Sequence, residues 1–203
     1  MIRLDIDDGL WTVTIDRPEK ANSLTRAMLG EIADIAERAA REEARVFVWR
    51  GEGKVFSAGA DLDEARSGLA TDPVWERLSG AIAALPCLTI AALNGTLAGG
   101  AMGMVLACDL RIAVPGAKVF YPVMKLGFLP QPSDPKRMAA LIGPARSKMI
   151  LMAGQKIEAA EACDWGLIDR IVAPEALADT VATLAADARA ASPAHVAGIK
   201  ALI

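Results

Sequence analysis

Three cysteines, one histidine, one tyrosine and 4% aromatic residues leave this 203-residue chain poor in the side chains used most for metal binding and redox chemistry. No Cys-x-x-Cys pair occurs, and the lone histidine, His195, sits far from any cysteine in the sequence, so a Cys/His metal site is not expected. Cys87 and Cys108 lie in apolar runs and read as reduced core residues, which points to a cytoplasmic protein. With 22 basic and 25 acidic residues the net charge is −3, so there is no basic surplus to favour nucleic acid as a partner. No apolar run reaches the roughly 18 residues of a membrane span, and the N-terminal MIRLDIDDGLW alternates and carries acids, unlike a signal peptide. Short-period repeats and low-complexity linkers are also missing. What is abundant is aliphatic: 53% of the residues are hydrophobic, enough for one sizeable core and incompatible with disorder.

Along the chain, Ile2 to Ile6 and Leu10 to Ile15 alternate apolar and polar around Asp8-Gly9, which predicts a β-hairpin. Arg17 to Leu24 reads as a polar loop. Thr25 is placed to cap a helix running to about Arg41, with Met28, Ile32, Ile35, Ala36 and Ala39 on one face. Arg45 to Arg50 predicts a buried strand. Asp72-Pro73 opens a helix to Ala84, and Leu88 to Leu93 is a second buried strand. Asp109 to Val114 and Lys118 to Tyr121 read as further strands, followed by an irregular Gly- and Pro-rich loop. Asp134 is positioned as the N-cap of the next helix, with Pro135 in its first turn. Helices are then expected over Pro144 to Ala153, Glu158 to Trp165, Pro174 to Ala191 and from Pro193 on, with a short extended piece at Gly166 to Val172. The pattern predicts an α/β core with a helical C-terminal part.

Two glycine turns stand out. Ala91 to Ala113 (AALNGTLAGGAMGMVLACDLRIA) runs from a buried strand through Asn94-Gly95, read as a turn with positive φ, and Gly99-Gly100 into an apolar helix. A helix beginning after a glycine pair presents free N–H groups, and glycine lets a ligand approach the backbone. Ser57-Ala58-Gly59-Ala60-Asp61 repeats the logic after the Val46 to Trp49 strand. Two such turns, aimed at one point, make an oxyanion hole. The plainer readings are a tightly packed helix for the first turn and a loop capped by Asp61 for the second.

Taken together, DRPEKANSL, VFSAGADL, the Ala91 to Ala113 stretch, KLGFLP and GPARSKMILMAGQKIEAAEACDWGLIDRIV resemble the crotonase superfamily, the enoyl-CoA hydratase/isomerase fold. The resemblance runs from about Leu10 to Lys200. It implies a crotonase-like spiral of ββα units over residues 1–172 and a helical segment over 173–203 that is short for the family. It implies homotrimers or hexamers, an acyl-CoA thioester as substrate in fatty acid metabolism, and no cofactor other than the coenzyme A of that substrate. By position, the implied backbone donors are Ala60 and Gly100. Lys20, Ala21, Asn22 and Leu24, with Ala58, Gly59, Asp61 and Leu62, resemble the parts that hold the adenine end of CoA; Arg17 is a further candidate for its phosphates.

The chain departs from the family where acid–base chemistry is expected. The family's two catalytic glutamates fall on Gly103 and Val123, neither of which can move a proton. Asp134 is the leading candidate base, and Asp63, Glu64 and Tyr121 are further candidates near the pocket. Nothing adjacent in sequence would activate Ser133, and His195 reads as structural. SPAHVAGIKALI resembles the start of the family's last helical region, where the basic residues that hold CoA phosphates are replaced at most by Lys200. Three expectations follow: a lyase or isomerase with non-standard acid–base residues, a non-catalytic acyl-CoA-binding or accessory subunit, and a paralogue that has lost both activities.

Overall fold

Two largely parallel sheets, of six and four strands, carry the molecule, and the computed structural model describes residues 1–203. β1 (Ile2–Asp7) and β2 (Leu10–Ile15) form the predicted antiparallel hairpin, with Asp8 and Gly9 at φ 41° and 76° supplying the tight turn. β2 then pairs in parallel with β3 (Val46–Gly51), β3 with β5 (Leu88–Leu93), and β5 with β7 (Leu110–Ala113). The short β10 (Arg170–Ile171) closes this sheet. The second sheet is made of short strands: β4 (Val55–Ser57), β6 (Thr96–Ala98), β8 (Lys118–Phe120) and β9 (Ile157–Glu158), in that order.

The repeat is therefore a long strand, a corner, a short strand and a helix, the ββα spiral that the resemblance implied. β3 and β4 lead to α2 (Leu62–Arg66) and α3 (Val74–Ala83), and β5 and β6 lead to α4 (Ala101–Leu106). β7 and β8 lead to α5 (Val123–Leu126) and α6 (Asp134–Leu151). The strands β4 and β6 were not expected from the sequence, nor was α5 in the Gly- and Pro-rich loop. Each is three residues long and enclosed by glycine turns, which hide it from a reading of alternation, and a corner before each turns the chain onto a second layer.

Side chains hold the corners together. Asn94 accepts from the Gly51 N–H at 2.9 Å and donates to the Gly53 carbonyl at 2.8 Å. Asn22, fully buried, donates to the Glu52 and Val55 carbonyls at 2.9 and 2.6 Å and accepts from the Arg17 N–H at 2.9 Å. Gly95 does not have the positive φ expected of it. It is glycine because a Cβ there would lie 2.0 Å from the Lys54 carbonyl oxygen.

α1 (Arg26–Arg41) is capped by Thr25, whose hydroxyl accepts from the Met28 N–H, and it buries the face read from its spacing. α6 is kinked at Gly143 (φ 78°, ψ 162°), so the expected helix starting at Pro144 is its second half. α7 (Ala159–Trp165), α8 (Leu177–Ala190) and α9 (Pro193–Lys200) complete the chain. No helix is long and apolar enough to cross a membrane. Gly95→Ala should destabilise the fold by roughly 1–3 kcal/mol, because backbone rather than a movable side chain opposes the new methyl; urea unfolding measures it.

Candidate active site

The Ser57–Asp61 turn and the Ala98–Ala101 turn follow neighbouring strands of the second sheet, β4 and β6, and touch at their glycines. A Cβ on Gly59 would lie 2.8 Å from the Ala98 carbonyl oxygen and 3.3 Å from the Gly100 nitrogen. Gly59 and Gly99 also hold φ of 88° and 60°, where side chains are strained. The Ser57 hydroxyl braces the first turn, accepting from the Gly59 N–H at 3.1 Å and donating to the Asn22 carbonyl at 2.8 Å.

Leu24 lies beside Ala60 as a parallel bridge. The bonds run from the Leu24 N–H to Gly59 O and from the Asp61 N–H to Leu24 O, each 2.8 Å. In this geometry the N–H of Ala60 itself points to the opposite edge. Neither it nor the N–H of Gly100, the residue that precedes α4, is satisfied by another protein group. The ring of Trp75 from α3 backs Gly100, about 3.1 Å from where a Cβ would stand, and is itself fixed by its Nε1–H donating to Leu69 O at 2.8 Å.

Asp134 is fully buried, 0% exposed, beside α4. Its Oδ1 lies 2.6 Å from where a Cβ on Gly103 would stand, so the carboxyl occupies the space in which a side chain at 103 would begin. Oδ2 accepts from the Tyr121 hydroxyl at 3.0 Å, while Oδ1 has no protein partner. Asp134 is not the N-cap read from the sequence: Ser133 holds that position, and the Asp134 side chain points inward from the first turn. Burial pushes the Asp134 carboxyl up to about 7, and the nearby Glu76 charge adds to the rise, against the Tyr121 hydrogen bond and the Arg137 charge. Burial and the same carboxylate push the Tyr121 phenol well above its ordinary value, so it stays a donor.

The other candidates separate cleanly. Asp63 is exposed and faces Arg66, and Glu64 accepts from the Arg26 N–H at the start of α1. Neither faces the turns, which corrects their reading as pocket carboxylates; short helices capped by Asp61 aim such side chains outward. Asp61 caps α2 and pairs with Arg17 at 2.8 Å; the Arg17 guanidinium holds its carboxyl below the usual carboxylate range. Arg17, committed to Asp61 and Ser23, is therefore not a free phosphate ligand. Lys200 is likewise committed, to Asp109 and the Cys87 carbonyl, both at 2.8 Å. Lys20, Ala58 and Leu62 are exposed on one rim, with Ala21 half-buried, whereas Asn22 and Leu24 are buried. The Asn22 side chain is spent on the corner described above. Val123 is buried and apolar. Burial pushes the Cys87 and Cys108 thiols up to about 12, in keeping with inert core residues. A cleft of about 840 Å3 lies elsewhere, between Leu88 and Leu110 on one side and Val196 and Ile199 on the other.

Sequence reasoning missed Glu76 and Trp75. Both sit on α3, whose amphipathic spacing signals a helix but not which site it covers.

A family model described as enoyl-CoA hydratase/isomerase matches residues 5–203. The Bacillus subtilis protein YngF is 35% identical over 198 residues, 94% of this chain and 76% of its own. The 1,2-epoxyphenylacetyl-CoA isomerase of Escherichia coli is 30% identical over 190 residues, 89% of this chain and 72% of its own. Among solved structures, an enoyl-CoA hydratase from Bacillus anthracis superposes with a TM-score of 0.88 at 32% identity, covering 97% of this chain and 79% of that one. An enoyl-CoA hydratase/isomerase from Pseudoalteromonas atlantica gives 0.91 at 26% identity, covering 99% and 81%.

The raised Asp134 titration has a stability consequence. The group titrates near 3.8 when unconstrained and near 7 in the fold, so the folded state binds the proton more tightly. Its contribution is present below about pH 4 and is lost as pH rises through 7. Asp134→Asn should therefore be more stable than the parent at pH 8, by on the order of 4 kcal/mol, and nearly equal at pH 3; urea unfolding at the two pH values measures the difference.

Proposed function

The chain belongs to the enoyl-CoA hydratase/isomerase family, and from that premise we propose that it moves a proton on an acyl-CoA thioester whose enolate is held by the backbone N–H groups of Ala60 and Gly100. The observation that carries this reading is the buried carboxyl of Asp134, standing where the side chain of residue 103 would begin. A carboxyl supplied from α6 thereby replaces the one that Gly103 cannot supply.

The chemistry follows from the groups present. Removing a proton from the carbon beside a thioester carbonyl leaves the electron pair on the carbonyl oxygen. Two fixed N–H donors stabilise that charge without rearranging at the moment of reaction. Asp134 takes the proton on a carboxylate oxygen, and the double bond shifts as the enolate forms. The same carboxyl returns the proton at the far carbon of the conjugated system, so atoms and charge balance. A group that titrates near neutrality serves in both directions. Tyr121 holds Oδ2, leaving Oδ1 for the transfer. One acid–base group suffices for this isomerisation, whereas hydration also requires a group to activate water, and Val123 offers none. Lys20, Ala21, Leu24, Ala58, Gly59, Asp61 and Leu62 form the rim proposed to take the adenine end of CoA, and Asn22 supports that rim from below. A homotrimer or hexamer in the cytoplasm remains part of this proposal, as the family resemblance implies.

The experiment is turnover on 2-enoyl-, 3-enoyl- and 3-hydroxyacyl-CoA thioesters, followed by enoyl absorbance and mass spectrometry. Conversion of 3-enoyl to 2-enoyl thioester is expected, with Asp134→Asn lowering kcat by about 10²–10⁴-fold. No conversion, with the thioesters still bound, favours a non-catalytic acyl-CoA-binding subunit.

Gly100→Pro tests the hole separately. Gly100 has φ −60°, which proline matches, and the substitution removes the N–H. A loss of about 10²–10³-fold in kcat is expected. Gly100→Ala makes the same Cβ contact with Trp75 but keeps the N–H, and it should retain most activity. Equal losses in both variants would count against the hole.

A further inference from the structure

Glu76 has no part in the chemistry just described, yet it grips the end of α6 from which Asp134 projects. Its Oε1 accepts from the Ser133 backbone N–H at 2.9 Å, and its Oε2 accepts from the Ser133 hydroxyl at 2.7 Å. Ser133 immediately precedes Asp134. Two bonds from one rigid carboxylate to one residue fix both the position and the rotation of that backbone, and hydrogen bonds to an ionised acceptor are strong.

A helix start needs no carboxylate from another helix. A serine at the N-cap ordinarily bonds the N–H groups of its own first turn. Here the Ser133 hydroxyl makes no such bond and donates outward to Glu76 instead. The outcome is a negative charge brought from α3 to within one residue of a buried carboxyl. Such an arrangement opposes ionisation of the second group. The groups that face Asp134 are Tyr121 from the loop after β8, Glu76 from α3 and Arg137 from the next turn of α6. α4, packed against the same carboxyl, contributes no titratable side chain.

We propose that Glu76 is a positioning residue for Asp134, clamping the residue that precedes it and placing a like charge near its carboxyl. The proposal rests on the reading of Asp134 as the acid–base group. It makes α3 a support for both halves of the site: Trp75 backs Gly100, and Glu76 sets Asp134.

Two titrations of the full chain test it. One is the pH profile of kcat/KM on whichever thioester of the panel turns over fastest. The other is carbon-13 NMR of protein labelled at aspartate carboxyls, with the Asp134 signal assigned by its loss in Asp134→Asn. In Glu76→Gln, which keeps the shape, both midpoints should fall by half a unit or more. Activity at pH 6 relative to pH 8 should then rise about threefold. Ser133→Ala keeps the charge and removes one bond, so kcat should fall at every pH with the midpoint nearly unmoved.

An unchanged NMR midpoint in Glu76→Gln overturns the proposal whatever the activity. Equal shifts in Glu76→Gln and Ser133→Ala overturn the role of charge. A fully active Asp134→Asn overturns the acid–base reading alone, because the NMR midpoint still decides the effect of Glu76. If Glu76→Gln does not fold, Glu76→Asp withdraws the charge by one methylene and should lower the midpoint by a smaller amount; no movement there overturns the proposal equally.

Discussion

The contact between two glycine turns, Gly59 against Ala98 and Gly99, governs the site. Any side chain on Gly59 would strike the Ala98 carbonyl, and both Gly59 and Gly99 use backbone angles that other residues avoid. That closeness sets turns from two different repeats side by side, each with a backbone N–H, of Ala60 and of Gly100, that no protein group satisfies. The spiral provides it cheaply: β4 and β6 are parallel neighbours, so the turns at their ends are neighbours as well. Asn22, Asn94 and Ser57 spend their polar groups on holding the corners in register, and little freedom is left in the turns.

A second constraint is electrostatic. A carboxyl with no solvent exposure and one oxygen without a partner is costly when ionised. The fold retains it through a phenol whose titration burial pushes well above its ordinary value and a packed wall of α4. It also sets a like charge from Glu76 against the opposite charge of Arg137. Buried carboxyls arranged in this way tend to mark places where a proton changes hands. The membership of the chain in the enoyl-CoA hydratase/isomerase family indicates which protons are at issue.

Much of the architecture was legible beforehand. The hairpin, the long strands β3, β5 and β7, the Thr25 cap and the amphipathic α1 followed from alternation, helical spacing and turn residues. That two glycine turns follow two strands was read from strand-turn-helix order, and the structure shows them in contact. The short strands β4 and β6 were not legible, since each is three residues enclosed by glycine turns. Gly95 was read as a conformational glycine and proved to be one of close approach, a distinction that depends on the Lys54 carbonyl coming near from another part of the chain. Asp63 and Glu64 are close in sequence to the Gly59 turn yet bond to Arg66 and to the Arg26 N–H, because capping by Asp61 sets the direction of α2.

The amino-acid sequence by itself determined the composition of the core, the repeat of long strands, the family and the presence of Gly103 and Val123, which carry no acid–base group. Local patterns suffice there, because they depend on neighbours a few residues apart. Only the tertiary structure decided that Asp134 stands at Gly103, that Tyr121 holds one of its oxygens, and that Glu76 reaches Ser133 from α3. Those relations join residues 13 to 57 positions apart. Their energies depend on burial and on the direction of approach, and neither is written in any local stretch of chain.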